Sequence, residues 1–209
     1  MSRIPASAVF VVDDDVSFLT STARFLKAAG YEARTFSSAQ DFLEALTPEM
    51  RGCLVLDLQM PGLNGLELQE HLAGAGIVMP IIFLTGEGDI PTSVRAMRRG
   101  AEDFLTKRAP GNELLAAIDR ALAREARERR HQGRLDELRR RFATLSERET
   151  EVLGYVVRGR LNKQIAAALG INERTVKLHR TNITRKMQMQ SVAELTRSAK
   201  EAGLLEEER

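Results

Sequence analysis

Short apolar runs alternate with amphipathic segments through the first 110 residues of the chain. The runs have the length of buried strands, and the segments between them repeat apolar positions at helical spacing. The predicted strands are Val9–Val12, Ala33–Phe36, Leu54–Leu56, Ile81–Leu84 and Phe104–Leu105. The predicted helices cover residues 16–28, 39–46, 65–73 and 91–99, and a fifth begins near Asn112. This alternation predicts an α/β fold, a parallel sheet covered by helices on both faces.

Residues at the ends of these segments agree with the predicted boundaries. Gly30 lies just past the first helix, where a glycine is common. Ser38 precedes the second helix as an N-cap, and Pro91 lies near the start of the fourth. For this alternation we expect the flavodoxin-like strand order 2-1-3-4-5.

A helix-prone, proline-free segment follows, from Asn112 to about Arg141. Its first part continues an apolar face, but the residues AREARERRHQGR that come next are almost entirely polar. Gly133 is a candidate break in the helix. Because a polar helix is typical of a solvated connector or of a coiled-coil surface, we predict a long helical linker over 123–142. It is either a dimer contact or a plain spacer.

Four further helices are predicted after Leu145, and they define an all-α domain. The last of them is a predicted dimer contact, with Val192, Leu195 and Ala199 on one face. The boundary signals are the Ser146–Glu149 capping box, Gly159, Asn162 as N-cap of a helix from Lys163 to Leu169, Gly170 as a turn, Asn172 as N-cap of a helix to about Met187, and Ser191.

Charge is unevenly distributed along the chain, although the net charge is only +2. Residues 1–110 hold ten Lys/Arg against fourteen Asp/Glu, whereas residues 143–200 hold eleven against five. An acidic first half and a basic second half indicate a cation site in the one and a polyanionic partner for the other.

Composition excludes several other classes of protein. Cys53 is the single cysteine, so an internal disulfide or a cysteine-based zinc site cannot form, and it is interpreted as a buried apolar residue. No apolar run approaches the roughly 20 residues that span a bilayer, and the run Ala8 to Val12 is too short for a signal-peptide core. We therefore expect a cytoplasmic protein with no membrane partner.

Candidate chemistry lies at the carboxyl ends of the predicted strands. Asp13 and Asp14 follow the first strand, Asp57 the third, Thr85 ends the fourth, and Lys107 follows the fifth. Ligands of open parallel sheets bind beyond these strand ends. Clustered carboxylates favour a hard divalent cation, and Mg²⁺ suits a site that meets a phosphate. Such a set can hold a phosphoryl group during transfer.

The motifs VVDDD, LDLQMPGLNGLEL, FLTGEGD and GAEDFLTK carry these residues, and in them the chain resembles the receiver domain of two-component response regulators. The resemblance implies that Asp57 accepts a phosphoryl group from a sensor histidine kinase. It implies Mg²⁺ ligands in Asp13, Asp14, Asp57 and the backbone carbonyl of Gln59. A slow loss of phosphate by self-dephosphorylation is expected, without enzymatic turnover.

The same resemblance assigns switching roles. Thr85 and Lys107 would contact the phosphoryl oxygens, and Phe104 would move inward when Thr85 moves. One position departs from the receiver pattern, which has a proline after the lysine, often across a cis bond. Here Arg108 follows Lys107 and the proline comes at Pro110. We expect a trans bond, because a non-proline residue disfavours cis by roughly 3 kcal/mol. The departure is expected to affect the rate or strength of switching.

The basic segment LSERETEVLGYVVRGRLNKQIAAALGINERTVKLHRTNITRKM resembles the LuxR-type, or FixJ/NarL-type, DNA-binding domain. Its predicted short helix, tight turn at Gly170 and longer helix form a helix-turn-helix. One face of the longer helix would be buried, with Val176, Ile183 and Met187 against Ile165, Ala166 and Leu169. Its opposite face carries Arg174, Lys177, Leu178, Thr181 and Arg185.

That opposite face is predicted to enter the major groove of double-stranded DNA. The resemblance assigns base reading to Lys177, Leu178 and Thr181, which can bond guanine, pack on a thymine methyl group and serve several bases. Phosphate contacts are expected from Asn162, Lys163, Thr175, His179 and Arg180.

The predicted organisation is a receiver domain over 1–122, a linker over 123–142 and a DNA-binding domain over 143–209. The predicted function is that of a response regulator and transcription factor. Phosphorylation of Asp57 would control homodimerisation and binding to promoter half-sites, with RNA polymerase as a further candidate partner.

Three alternatives stay open at this point. The helical segment would fit a protein-interaction domain. A magnesium-dependent phosphatase resembling the haloacid dehalogenase family would also use an aspartyl nucleophile, but it carries a second Asp where this chain has Gln59. A constitutive DNA binder with an inert receiver is the third, and Arg108 keeps it open.

Overall fold

A computed structural model describes residues 7–86, 90–189 and 191–204 of the chain. Parts of the sequence predictions lie outside these residues: positions 87–89 of the FLTGEGD motif and positions 205–209 of the predicted DNA-binding domain. The chain divides into two compact units, Met1–Glu128 and Arg129–Arg209. Within the described residues, no helix is both long and apolar enough to cross a membrane.

The first unit is an α/β fold with a five-stranded parallel sheet of order β2-β1-β3-β4-β5, which confirms the predicted topology. Its strands are β1 (Ala8–Val12), β2 (Ala33–Phe36), β3 (Gly52–Asp57), β4 (Ile81–Thr85) and β5 (Asp103–Thr106). Its helices are α1 (Val16–Ala28), α2 (Ala39–Ala45), α3 (Gly65–Gly74), α4 (Ile90–Arg98) and the first part of α5 (Gly111–Ala143).

The central strands β1, β3 and β4 are buried along their whole length because helices cover both faces of the sheet. Phe10 and Leu54 belong to the core on one face, and Val9 and Val55 to the core on the other. A strand buried on both faces is apolar at successive positions, which is why these strands appear as unbroken apolar runs in the sequence. Cys53 is buried among them as predicted, and burial raises the pKa of its thiol to about 12.

Side chains at the helix ends fix where the helices begin. Asp15 is the N-cap of α1, and one of its carboxylate oxygens accepts the backbone N–H groups of Ser17 and Phe18. Ser38 caps α2 as predicted, accepting the N–H of Asp41 at 3.0 Å. Gly30 lies past α1 with φ +92°, a conformation that side chains disfavour.

The second unit contains the end of α5 and four helices: α6 (Glu147–Val157), α7 (Asn162–Leu169), α8 (Glu173–Met187) and α9 (Val192–Glu201). The predicted linker is helical, and α5 continues through Gly133 without a break. Leu138 and Phe142, which the sequence places in the linker, are buried in the core of this unit. The Ser146–Glu149 capping box is present at the start of α6, as predicted.

Two expectations about the second unit are wrong. Asn162 is the first residue of α7 and its N-cap is Leu161, whose N–H is accepted by the side chain of Gln164 at 2.9 Å. The three residues predicted to share a dimer face on the last helix do not form an exposed surface. Leu195 and Ala199 are buried in the core of their own unit, and Val192 is 40% exposed.

Candidate functional site

An acidic cluster lies at the carboxyl edge of the central strands. Asp13 follows β1 directly and Asp57 ends β3, and these two strands are parallel neighbours. Carboxylate oxygens of Asp13, Asp14 and Asp57 lie within 4.8 Å of one another. Asp13 and Asp57 are buried and Asp14 is exposed, so the cluster opens to solvent on one side.

Lys107 joins the cluster from the loop after β5. Its Nζ lies 2.6 Å from an oxygen of Asp13 and 3.0 Å from an oxygen of Asp57. Burial acts to lower the pKa of Lys107, but the hydrogen bonds to both carboxylates outweigh it and the pKa is raised. Burial raises the pKa of Asp13, and the hydrogen bond from Lys107 opposes that shift. The ammonium therefore neutralises part of the charge of the cluster.

The ring of Phe18, on α1, lies against the Lys107 ammonium, a contact that the sequence interpretation missed. The ammonium lies 4.7 Å from the centre of the Phe18 ring, a distance at which the ring face attracts a cation. An apolar residue at this position of an amphipathic helix is an ordinary core residue, so no signal in the sequence pointed to a contact with a residue 89 positions away.

Thr85 and Phe104 lie where the sequence predicted them. Thr85 ends β4 beside Thr106 of β5, and its carbonyl accepts the N–H of Lys107 at 2.7 Å. Phe104 is half-buried on β5, with its ring 6.1 Å from that of Phe83. The phosphoryl contacts and the inward movement predicted for these residues stay predictions.

The loops around the cluster bear on two further expectations. The Lys107–Arg108 peptide bond is trans, as expected for a non-proline residue, and Arg108 is exposed. Gln59 is exposed, and its backbone N–H lies 3.4 Å from an oxygen of Asp57. The role of its carbonyl as a metal ligand stays a prediction.

The donor set of the cluster fits a magnesium ion. Three carboxylates at one solvent-open edge offer only hard oxygen ligands, and Mg²⁺ takes one or two carboxylates together with waters and phosphate oxygens. Cysteine and histidine, which softer metals prefer, are not part of the group.

Gly65 packs directly on the backbone of the phosphoacceptor candidate. A Cβ at this position would lie 2.3 Å from the carbonyl oxygen of Asp57 and 3.0 Å from the ring of Phe83. We expect Gly65→Ala to displace the end of β3 and to lower the free energy of unfolding of the first unit by about 2 to 3 kcal/mol. Urea denaturation measures this.

The matched control is Gly74→Ala on the same helix, where an added Cβ meets nothing within 4 Å. It should be neutral, or stabilising by up to about 1 kcal/mol, since alanine has the higher helix propensity. Equal stability of the two variants would show that the Gly65 position tolerates a side chain.

In the second unit, α7, the turn at Gly170 and α8 form the predicted helix-turn-helix. Gly170 has φ +67°, and the Asn172 side chain caps α8 by accepting the Thr175 N–H at 2.8 Å. The buried face of α8 is the predicted one, and it packs in the same core as the apolar side of α7. The predicted DNA-facing residues are exposed: Arg174, Lys177, Leu178, Thr181 and Arg185.

Leu178 is the one apolar residue among those predicted for that face, and its side chain is 59% exposed beside Lys177. A single exposed leucine is common on protein surfaces, so what bears on recognition is its place on the predicted DNA-facing side of α8. Exposure of this residue fits a contact with a thymine methyl group.

The five residues predicted to contact phosphates differ in their surroundings. Lys163 is exposed, whereas the hydroxyl of Thr175 donates to Asn172 at 2.9 Å. Asn162 and Arg180 are joined, with Arg180 Nη1 donating to Asn162 Oδ1 at 3.1 Å. His179 is half-buried, and its Nδ1 has no hydrogen-bond partner among the described residues.

Comparison with known proteins gives matches over both units. The family model described as response regulator receiver domain matches residues 9–119, and the model described as bacterial regulatory proteins, luxR family, matches residues 143–199. Nodulation protein W of Bradyrhizobium diazoefficiens is 44% identical over 94% of this chain and 86% of its own length. The transcriptional regulatory protein FixJ of Azorhizobium caulinodans is 42% identical over 94% of this chain and 93% of its own length.

Solved structures agree with these relatives. The response regulator StyR matches with a TM-score of 0.85 and 46% identity, covering 93% of this chain and 98% of StyR. Full-length FixJ from B. japonicum matches with a TM-score of 0.58 and 37% identity, covering 96% of this chain and 99% of FixJ.

Proposed function

The chain belongs to the response regulators with a LuxR-type DNA-binding domain, and from that premise we propose that Asp57 is its phosphoacceptor and α8 its DNA-reading helix. The protein is a transcription factor of the two-component type. The observation that carries the proposal is the position of Asp57, with its carboxylate beside Asp13 and Asp14 and 3.0 Å from the ammonium of Lys107.

Phosphoryl transfer at this site would follow from positioning and charge neutralisation. An oxygen of Asp57 attacks the phosphorus of a phosphohistidine on the sensor kinase, the P–N bond breaks, and the histidine keeps the electron pair. Lys107 moves from Asp13 toward the phosphoryl oxygens. Later attack by water on the phosphorus breaks the P–O bond to Asp57 and releases inorganic phosphate, which is the slow self-dephosphorylation expected of this site.

A magnesium ion would be held by the carboxylates of Asp13, Asp14 and Asp57 and the carbonyl of Gln59. When bound, it offsets the negative charge of the phosphoryl oxygens. This assignment is supported by the donor set and by the solvent-open side at Asp14. The cluster holds more negative charge than Lys107 alone can neutralise, so a second cation is needed before a phosphoryl group can approach.

The switch proposed for the first unit uses Thr85 and Phe104. New phosphoryl oxygens would attract the Thr85 hydroxyl and the Lys107 ammonium, and Phe104 would move into the space that Thr85 leaves. This change would favour a homodimer. Two helix-turn-helix units would then bind half-sites about 34 Å apart, one turn of DNA, where RNA polymerase is a candidate partner.

The magnesium assignment can be tested with one pair of variants. Asp14→Asn removes a ligand, and we expect it to weaken Mg²⁺ binding by at least about tenfold, the scale on which even supporting groups act. Isothermal titration with MgCl₂ on the full chain measures the affinity. Phosphorylation by acetyl phosphate at limiting Mg²⁺ should slow in parallel.

Asp15→Asn is the matched control. It removes the same charge one residue later, and asparagine can still cap α1 by accepting the N–H groups of Ser17 and Phe18. Equal Mg²⁺ affinity of the two variants would contradict the proposed ligand set.

A further inference from the structure

Two helix C-termini meet in the second unit, those of α5 and α8. The last carbonyl groups of a helix lack partners within the helix and carry the negative end of its dipole. Both helices have basic residues in their last turn, Arg140 and Arg141 on α5 and Arg185 and Lys186 on α8. The structure shows that one of these side chains from each helix reaches the end of the other.

Arg141 reaches from α5 to the end of α8. Its Nη1 donates to the carbonyl of Met187, the last residue of α8, at 3.3 Å. Its Nε donates to a carboxylate oxygen of Glu137 one turn earlier at 2.9 Å, which holds the guanidinium in place. The carbonyl that it contacts precedes Gln188, a non-glycine residue in the left-handed region with φ +55°.

Lys186 makes the reciprocal contact. Its Nζ donates to the carbonyl of Thr144, just past the end of α5, at 2.9 Å, and to Glu149 at 2.6 Å. Glu149 is 5% exposed and belongs to the capping box of α6. The hydrogen bond from Lys186 holds the pKa of the Glu149 carboxyl below its usual value, which indicates a carboxylate that stays ionised in this contact.

Both helix ends also contribute apolar residues to one buried core. Leu138 and Phe142 on α5 are buried in the same core as Ile183 and Met187 on α8. The end of α5 therefore shares a buried core with the C-terminal half of α8 and is also bonded to its last carbonyl. Residues 138 and 141 lie before residue 143, where the match to the LuxR-type family model begins.

We infer that Arg141 is a positioning residue for DNA recognition, which holds the C-terminal end of α8 and so sets the direction in which Lys177, Leu178 and Thr181 point into the groove. This inference rests on the proposed role of α8 as the reading helix. At its other end α8 is fixed by the Asn172 cap. Without Arg141, the helix keeps that cap, the Lys186 contacts and its buried residues, but it loses the hydrogen bond to its last carbonyl.

The test uses the full chain and a DNA duplex selected from a random-sequence pool by the parent protein. We expect Arg141→Gln to weaken binding about tenfold, the equivalent of one lost hydrogen bond to a charged group. Arg141→Lys keeps a cation at this position and should recover most of the affinity. Fluorescence anisotropy at one fixed salt concentration measures each affinity.

Arg140→Gln is the matched control. Arg140 neighbours Arg141, pairs with the same Glu137, and its side chain is 73% exposed. This variant loses the same charge without touching α8, so its affinity should stay within about twofold of the parent, the scale of an exposed ion pair.

Two further readouts separate positioning from other roles. The dependence of affinity on salt should not change in Arg141→Gln, because a direct phosphate contact would lower the slope of log K against log salt by about 0.9. The thermal midpoint must stay above the assay temperature, so that lost affinity is not lost folding. A changed slope, a midpoint below the assay temperature in both Arg141 variants, or equal affinities of the two glutamine variants would overturn the inference.

Lys177→Ala distinguishes failure of this inference from failure of the proposed function. If Lys177→Ala weakens binding and Arg141→Gln does not, the positioning role alone is wrong. If Lys177→Ala also leaves binding unchanged, α8 is not the reading helix, and the positioning role falls with it.

Discussion

Asp57→Asn should take up no phosphate from acetyl phosphate in the presence of Mg²⁺, whereas the parent takes up one phosphoryl group per chain. The Asp57 carboxylate is the nucleophile that forms the aspartyl phosphate. An uncharged amide in its place does not attack phosphorus and supplies no negative charge to the metal site. Intact-protein mass spectrometry measures the uptake. The effect is a loss of the reaction, not a change in its rate.

The fold should survive this substitution. Asparagine has nearly the shape of aspartate, and the relieved repulsion with the buried Asp13 offsets the weakened contact with Lys107. Thermal stability should therefore stay close to that of the parent. Asp41→Asn, an exposed aspartate on α2, serves as the control and should be phosphorylated like the parent. Full phosphorylation of Asp57→Asn would move the phosphoacceptor to another residue.

Lys177→Ala should weaken binding to the selected DNA duplex by about 5- to 150-fold, the range that corresponds to 1 to 3 kcal/mol for a base contact. Lys177 is exposed in the first half of α8, where recognition helices place their base-reading residues. The loss should be smaller on a random duplex, because phosphate contacts there are made by other residues. Electrophoretic mobility shift or anisotropy measures both affinities.

Lys200→Ala is the control for charge alone. Lys200 is exposed on α9, outside the helix-turn-helix, so its loss changes the net charge equally without touching the proposed reading face. Equal losses of affinity in the two variants would mean that the basic charge of the domain acts as a whole and that α8 does not read bases.

The sheet and the acidic cluster could be predicted because both follow from chain order. Strands buried on both faces appear as apolar runs, and a parallel sheet brings the residues after its strands to one edge. Asp13 and Asp57 therefore meet, although 43 residues of the chain separate them.

Boundaries that depend on competition between neighbouring side chains were harder to predict. Asn162 is a good N-cap by residue type, but the Gln164 side chain satisfies the Leu161 N–H and α7 begins one residue earlier. Asn162 is then available to accept the hydrogen bond from Arg180, which is 18 positions away. Helix propensity contains no information about that partner.

The N-terminal extent of the second unit could not be predicted from the sequence pattern either. Leu138 and Phe142 follow a long polar stretch and precede the segment that resembles a DNA-binding domain, so they were assigned to the linker. Their burial depends on α8 and the rest of a core that forms from distant residues. The contact between Arg141 and Met187, 46 positions apart, has the same origin.

The most direct test of phosphorylation control is DNA affinity at one fixed salt concentration, before and after treatment with acetyl phosphate and Mg²⁺, for the parent and for Asp57→Asn. Salt must be constant because phosphate contacts make the affinity strongly salt-dependent. We predict that treatment tightens binding by the parent by at least about fivefold, a typical coupling between two sites, and leaves Asp57→Asn unchanged. Equal affinity of the parent before and after phosphorylation would contradict control by Asp57 and would indicate a constitutive DNA binder with an inert receiver.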